Sequence, residues 1–173
     1  MLCFLSPLIV LVLIIAWAEL GEPIFIQNRV GKNKRPFTLL KFRTMHINTP
    51  SVASHLVSNK YVSRFGRIIR ALKFDELPQL INVIKGDMSL VGPRPCLFNQ
   101  IELIKQRELH NVFSVKPGIT GLGQIKGIDM SEPEKLALTE NFMIENFNSF
   151  RYFRYLFQTL FGKGMGDNLK RNF

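Results

Sequence analysis

The first eighteen residues, Met1 to Ala18, contain no charged side chain, and Glu19 is the first ionisable one. As a helix this run spans roughly 27 Å at about 1.5 Å per residue. That is marginal against a bilayer hydrocarbon core of about 30 Å. A secretory signal does not fit, because no basic stretch precedes the run and no convincing small-residue cleavage site comes after it. Ser6-Pro7 interrupts the run, since Pro lacks an N–H and clashes with the preceding turn. A Ser hydroxyl helps satisfy the backbone freed at such a break. Three arrangements remain open from the residues alone: a short span, an interfacial helix, or half of a re-entrant hairpin.

Charge narrows the partners. The 173-residue chain carries 23 Lys and Arg against 13 Asp and Glu, a net charge of +10. The excess is uneven. Between Glu22 and Asp75 there is no acid, but there are eleven bases: Arg29, Lys32, Lys34, Arg35, Lys41, Arg43, Lys60, Arg64, Arg67, Arg70 and Lys73. A one-sided segment of this kind needs a polyanion, whether nucleic acid, anionic lipid or a nucleotide substrate. The apolar run ahead of it turns the choice away from nucleic acid, and bases flanking such a run favour a cytoplasmic position for the globular part. Cys3 and Cys96 have no evident mutual pairing and read as reduced thiols. His46, His55 and His110 are scattered, and no Cys/His metal spacing exists. The length allows one compact domain beyond the anchor. We divide the chain into an anchor at 1–20, a globular part at 21–162 and a polar tail at 163–173.

Two short strands are expected at 23–27 and 36–42, joined by the basic turn Val30-Gly31-Lys32-Asn33-Lys34 as a hairpin. Residues 46–61 read as a polar loop. Val62 to Leu72 reads as a basic amphipathic helix with Phe65, Ile68, Ile69 and Leu72 on one face. A second helix is expected over about 75–85, burying Leu77, Leu80, Ile81 and Ile84, with Pro78 tolerated in its first turn. A third covers 98–110. The Gly/Pro-rich link 116–123 leads to the helix-start signal Ser131-Glu132-Pro133-Glu134, then helices over 134–146 and 149–161. The last is rich in Phe and Tyr with Arg151 and Arg154, a pattern that suits a membrane interface or a core equally. The fold class is α/β, rich in helix.

Asp75 and Glu76 are the first candidates for chemistry. Their structural reading is an N-cap and a first-turn carboxylate favoured by the helix dipole. Their chemical reading uses the same physics. A helix start with Arg70 and Lys73 nearby keeps Asp75 ionised, and an ionised carboxylate can attack phosphorus. Glu76 beside it offers oxygen ligands of the kind Mg²⁺ prefers. Arg94 sits between Pro93 and Pro95, so a restricted backbone presents its guanidinium for forked contacts to phosphate; an exposed Arg on a rigid loop is the alternative. Lys41 and Arg43 close the second strand, where alternation places them on one face, either toward phosphate or toward solvent. Pro117-Gly118-Ile119-Thr120-Gly121 is either a phosphate cradle built of backbone N–H groups or an ordinary turn.

Taken together, these pieces resemble the monotopic phosphoglycosyl transferases, the small bacterial sugar transferases that start lipid-linked glycan assembly. The resemblance is carried by Ser6-Pro7, Gln27-Asn28-Arg29-Val30-Gly31, Lys41-Phe42-Arg43-Thr44-Met45, Asp75-Glu76-Leu77-Pro78-Gln79-Leu80, Gly86-Asp87-Met88-Ser89-Leu90-Val91-Gly92-Pro93-Arg94-Pro95 and Pro117-Gly118-Ile119-Thr120-Gly121. All six occur in the family's order.

The resemblance implies a re-entrant helix broken at Ser6-Pro7 and a small globular part with interface helices. It places the protein on the cytoplasmic face of a bacterial inner (plasma) membrane, among anionic lipid. It implies that Asp75 attacks the β-phosphate of a UDP-sugar and releases UMP, after which polyprenyl phosphate, usually undecaprenyl phosphate, takes the phosphosugar. Glu76 matches the family's Mg²⁺ partner. Arg70 matches an arginine that holds dyad and anchor in place, Arg94 lies in the motif expected near the diphosphate, and Lys41, Arg43 and Lys116 join the substrate-binding set. Other glycan-assembly enzymes are possible partners. Residues 46–53 and 99–103 look like members that use N-acetylated amino sugars. The sequence also departs from the family's pattern. Only five residues precede Ser6, where the family has a longer start, so the expectation is a truncated chain, a misassigned start or a shortened anchor. Lys116 stands where Arg is usual, which would lose a bidentate phosphate contact, and Lys73-Phe74 replaces the commoner Ser-Leu. The part after Gly127 matches least, and no site residue is assigned there. The competing reading is a truncated, inactive membrane-associated relative that acts as a binding or scaffold protein.

Overall fold

A computed structural model describes residues 12–49 and 61–162. The Ser6-Pro7 break, residues 50–60 of the expected loop and the 163–173 tail lie outside those residues. Helix α1 (12–20) buries Val12, Ala16 and Leu20, spaced four apart on one face, and exposes Ile14 and Trp17. No helix among the described residues is long and apolar enough to cross a membrane.

Strands β1 (Ile24–Val30) and β2 (Pro36–Phe42) form the expected antiparallel hairpin, in a register that pairs Phe25 with Lys41 and Val30 with Pro36. The first strand is three residues longer than expected at its far end. Asn33 and Lys34 adopt left-handed backbone in the turn (φ 53° and 60°). Phe37 and Leu39 alternate inward along β2, as the two-residue period of a strand requires.

Helix α2 (Arg64–Ala71) starts at Ser63, whose hydroxyl accepts from the Gly66 N–H at 2.8 Å, the usual way of satisfying a free first-turn donor. Its expected apolar face divides. Ile69 is buried against Val12 and Phe42, whereas Ile68 and Leu72 are exposed beside Arg64 and Arg67. Gly66 faces the strand end, where a β-carbon would lie 2.2 Å from the Thr44 carbonyl oxygen. That close approach, rather than the apolar stripe, sets how the helix is rotated.

The expected single helix over 75–85 is two elements. A 3₁₀ turn holds Phe74–Glu76, and α3 proper is Gln79–Lys85. Its burial reverses the expectation: Gln79 and Asn82 are buried, Leu77 and Leu80 are only half-buried, and Ile81 and Ile84 face outward. The cause is β2. Its free edge leaves backbone groups that need partners, and Asn82 supplies them, accepting from the Leu40 N–H (3.1 Å) and donating to the Thr38 carbonyl (2.7 Å). With its polar face turned to the strand, α3 presents its apolar face outward.

The rest is a helical layer around a second, small sheet. Strands β3 (Ser89–Val91) and β4 (Gly118–Thr120) pair in parallel. Helices α4 (Ile101–Leu109), α5 (Leu122–Ile125), α6 (Pro133–Glu145) and α7 (Ser149–Leu160) pack around it. The core divides into neighbouring clusters, with Val30, Cys96, Leu103 and Leu136 in one and Val91, Leu122, Met143 and Tyr155 in another. On α7 the Asn148 side chain caps the Arg151 N–H. Tyr155 faces in, while Phe150, Phe153, Phe157, Leu160 and Phe161 face out with Arg154.

Candidate active site

The carboxylate pair sits where the chain turns between α2 and α3. Lys73 adopts left-handed backbone (φ 57°) and ends the helical run, at a cost of roughly 1–2 kcal/mol for a residue with a β-carbon. The following 3₁₀ turn is closed by Glu76 N–H to the Lys73 carbonyl (3.2 Å) and Leu77 N–H to the Phe74 carbonyl (3.2 Å). This turn, not an α-helical N-terminus, carries Asp75 and Glu76. Both are buried.

Buried carboxylates need compensation, and the second strand provides it. Lys41 shares the inward face of β2 with Leu39, and its ammonium reaches Glu76 Oε1 at 3.1 Å. Arg94 Nη2 lies 3.5 Å from the same oxygen. Burial pushes the Glu76 carboxyl up, but Lys41, Arg94 and Lys73 together outweigh it and hold the group below the usual glutamate value. Glu76 Oε2 is buried and has no hydrogen-bond partner. An anionic oxygen left unpaired at depth costs free energy, so this atom is where a cation or a ligand donor would be received. No cluster of three or more His, Cys, Asp or Glu able to hold a metal occurs among the described residues.

Arg70, half-buried on the last turn of α2, directs Nη1 toward the Thr44 hydroxyl at 3.5 Å. Arg43 goes elsewhere. The strand ends at Phe42 and the alternation ends with it, so Arg43 binds the Glu22 carboxylate (2.7 Å) and lies over the Phe25 ring, 5.6 Å from its centroid. Lys41 and Arg43 therefore do not face the dyad together. Lys116 is exposed, and its ammonium lies 3.5 Å from where a Gly86 β-carbon would stand.

The two glycine motifs form one backbone unit. Gly92 N–H donates to the Thr120 carbonyl and Gly118 N–H to the Pro93 carbonyl, each at 2.8 Å. A β-carbon on Gly118 would fall 2.1 Å from the Gly92 nitrogen, so no other residue fits there without backbone movement. The expected choice between cradle and turn at 117–121 is thus resolved as a strand, with the Gly118 donor committed to Pro93. Arg29, from the Gln27-Asn28-Arg29 motif, donates to the Pro95 carbonyl (3.1 Å) and to the Gln27 side chain (2.6 Å), which ties the hairpin to the Arg94 loop.

Three contributors escaped the sequence reading. Asn82 holds β2, and hence Lys41, in place. Arg107 and Glu140 form a buried ion pair behind the Arg94 loop. Each of these two carried a signal, because each is a polar residue on a core face: Arg107 comes four residues after Leu103, and Glu140 four after Leu136.

The pattern of a family described as bacterial sugar transferase matches residues 1–163. A relative named as uncharacterized sugar transferase EpsL, from Bacillus subtilis (strain 168), is 40% identical over 87% of this chain and 74% of its own length. A UDP-glucose:undecaprenyl-phosphate glucose-1-phosphate transferase of Caulobacter vibrioides is 43% identical over 71% of this chain and 48% of its own. A UDP-N-acetylgalactosamine-undecaprenyl-phosphate N-acetylgalactosaminephosphotransferase of Aeromonas hydrophila is 40% identical over 69% of this chain and 30% of its own. The chain thus spans half or less of the last two. The match runs through both glycine motifs and the buried carboxylate turn, and the chain belongs to the bacterial sugar transferase family.

Proposed function

We propose that this chain transfers a phosphosugar from a UDP-sugar to polyprenyl phosphate, with Asp75 as the nucleophile. The observation that carries this reading is a buried carboxylate pair in one turn with Lys41, Lys73 and Arg94 around Glu76. Such a set suits an anion that reacts next to a diphosphate. The Asp75 carboxylate forms a bond to the β-phosphorus while the bond to the oxygen bridging the α-phosphate breaks. UMP leaves with that oxygen and its electron pair. A phosphate oxygen of the polyprenyl phosphate then attacks the same phosphorus, the Asp75–phosphorus bond breaks, and the carboxylate is restored. Both nucleophiles are anions, so no general base is required. Lys41 and Arg94 offset the charge that accumulates, and Arg70 keeps the turn in register with the strand end at Thr44.

Glu76 Oε2, buried and unpartnered, is the atom that would hold a Mg²⁺ ion, which prefers oxygen ligands. When bound, Mg²⁺ would neutralise diphosphate charge and ease departure of UMP.

The apolar side chains turned outward on α2, α3 and α7, with Arg64 and Arg67 beside Ile68, suit an anionic membrane surface. They support a place at the cytoplasmic face of an inner membrane, with the Ser6-Pro7 segment as a re-entrant anchor. For the donor, we propose an N-acetylated amino sugar, supported by the resemblance at 46–53 and 99–103 and by the name of the Aeromonas relative. The Caulobacter relative makes UDP-glucose the comparison.

The test is UMP release by the full chain in detergent, with undecaprenyl phosphate, Mg²⁺ and a panel of UDP-sugars. Wild type releases UMP and Asp75→Asn, still folded, does not. Undiminished turnover by Asp75→Asn removes it as nucleophile. Silence of wild type with every donor favours the inactive-relative reading.

A further inference from the structure

Arg107 on α4 and Glu140 on α6 are 1% and 2% exposed, more deeply buried than the dyad. The guanidinium forks onto the carboxylate, Nε to Oε2 at 2.8 Å and Nη2 to Oε1 at 2.6 Å. Burial works against both charges. Glu140 more than offsets this for Arg107, whose pKa is raised. The Glu140 carboxyl is itself raised by burial, with Arg107 opposing. As a fastening between two helices such a pair is a poor choice, because apolar residues of similar volume do as well or better. Leu103 and Leu136 already pack there.

The pair's other contacts lie in one loop. Glu140 also accepts from the Arg94 backbone N–H, and the Arg107 guanidinium opposes the rise that burial imposes on the Cys96 thiol. The remaining backbone of this loop is tied too: the Pro93, Pro95 and Cys96 carbonyls accept from Gly118 N–H (2.8 Å), Arg29 Nη1 (3.1 Å) and Val30 N–H (3.0 Å). Pro93 and Pro95 have no N–H, so Arg94 carries the sole backbone donor in the Pro-Arg-Pro triplet. Whatever accepts from it sets the Arg94 peptide plane, and through it the direction of the side chain that reaches Glu76.

We infer that Arg107 and Glu140 are positioning residues for the transfer reaction: their ion pair clamps the Arg94 backbone so that its guanidinium meets Glu76 and the incoming diphosphate. This rests on the reading of Asp75 and Glu76 as a phosphosugar-transfer centre.

The test is a double-mutant cycle on the full chain in detergent, reading UMP release and melting temperature. The proteins are wild type, Arg94→Ala, Arg107→Met with Glu140→Leu, and all three changes together. The apolar pair fills the volume and melts close to wild type, yet its kcat/KM falls about tenfold or more. Added to Arg94→Ala it causes no further loss, since the clamp then has nothing to aim. Multiplying losses, or full activity in the folded apolar-pair variant, would overturn the inference. Should that variant not fold, Glu140→Gln decides. It keeps an oxygen acceptor for the Arg94 N–H, so below both melting temperatures its kcat exceeds that of Glu140→Leu, which keeps none, and equal kcat in the two counts against positioning. Wild type that releases no UMP from any donor overturns the transfer reading and this inference with it, a result distinct from the others.

Discussion

Replacing Asn82 by Leu keeps the branched shape and the number of heavy atoms but removes both ends of a buried amide. The Leu40 N–H loses its acceptor at 3.1 Å and the Thr38 carbonyl its donor at 2.7 Å. Asn82 is 1% exposed, so no water replaces the amide without displacement of α3. Each stranded group costs about 1–3 kcal/mol, and the added apolar contact returns part of that, leaving a net loss of roughly 2–4 kcal/mol. For a domain of this size each kcal/mol moves the melting temperature by about 2–4 °C, so the shift expected is roughly 4–16 °C downward. A thermal melt of the full chain in detergent reads it. The same substitution loosens β2 at Leu40, next to the lysine that meets Glu76 at 3.1 Å, so activity of the folded fraction falls too. A melting temperature within about 1 °C of wild type, or full specific activity despite the lower melt, would refute the account of α3 as the brace of β2.

The Glu76 carboxyl is held below the usual glutamate value in the fold, because Lys41, Arg94 and Lys73 outweigh burial. A depressed folded pKa adds stability that is fully present above the unfolded value, about 4.3, and is lost as pH falls through the folded one. Wild type is therefore expected to lose more melting temperature than Glu76→Gln between about pH 6 and 3, and parallel curves would remove the coupling. At the outward face of α3, Ile84 is 78% exposed. Ile84→Glu is expected to leave stability within about 0.5 kcal/mol while weakening sedimentation with anionic phospholipid vesicles. Unchanged vesicle binding would show that this face does not touch the membrane.

Much of the site was legible along the chain because its parts are contiguous. Asp75 and Glu76 are neighbours, and Arg94 is marked by flanking prolines. The hairpin was readable from strand residues around a basic turn. Helices α4, α6 and α7 were readable from apolar period and start signals, with ends displaced by up to three residues. The strands β3 and β4 were missed because three residues are too few to carry a readable period; only their mutual pairing makes them strands.

What the sequence determined by itself was the inventory and its local geometry: the uncharged start, the acid-free basic segment, the carboxylate turn, and the glycines that permit close backbone approach. What the tertiary structure decided was direction. Period reports that a helix has two faces, not which one is buried, and in α3 the hydrogen-bonding demand of the β2 edge outweighed the apolar stripe and turned Asn82 inward. Lys41 and Arg43 share a sequence parity, yet the strand ends between them, so one meets Glu76 and the other Glu22. Arg107 and Glu140 stand 33 residues apart, and although each sits on the apolar face of its helix, nothing along the chain says which charge answers it. Their partnership exists because α4 and α6 pack together and leave each of two buried charges only the other to answer it.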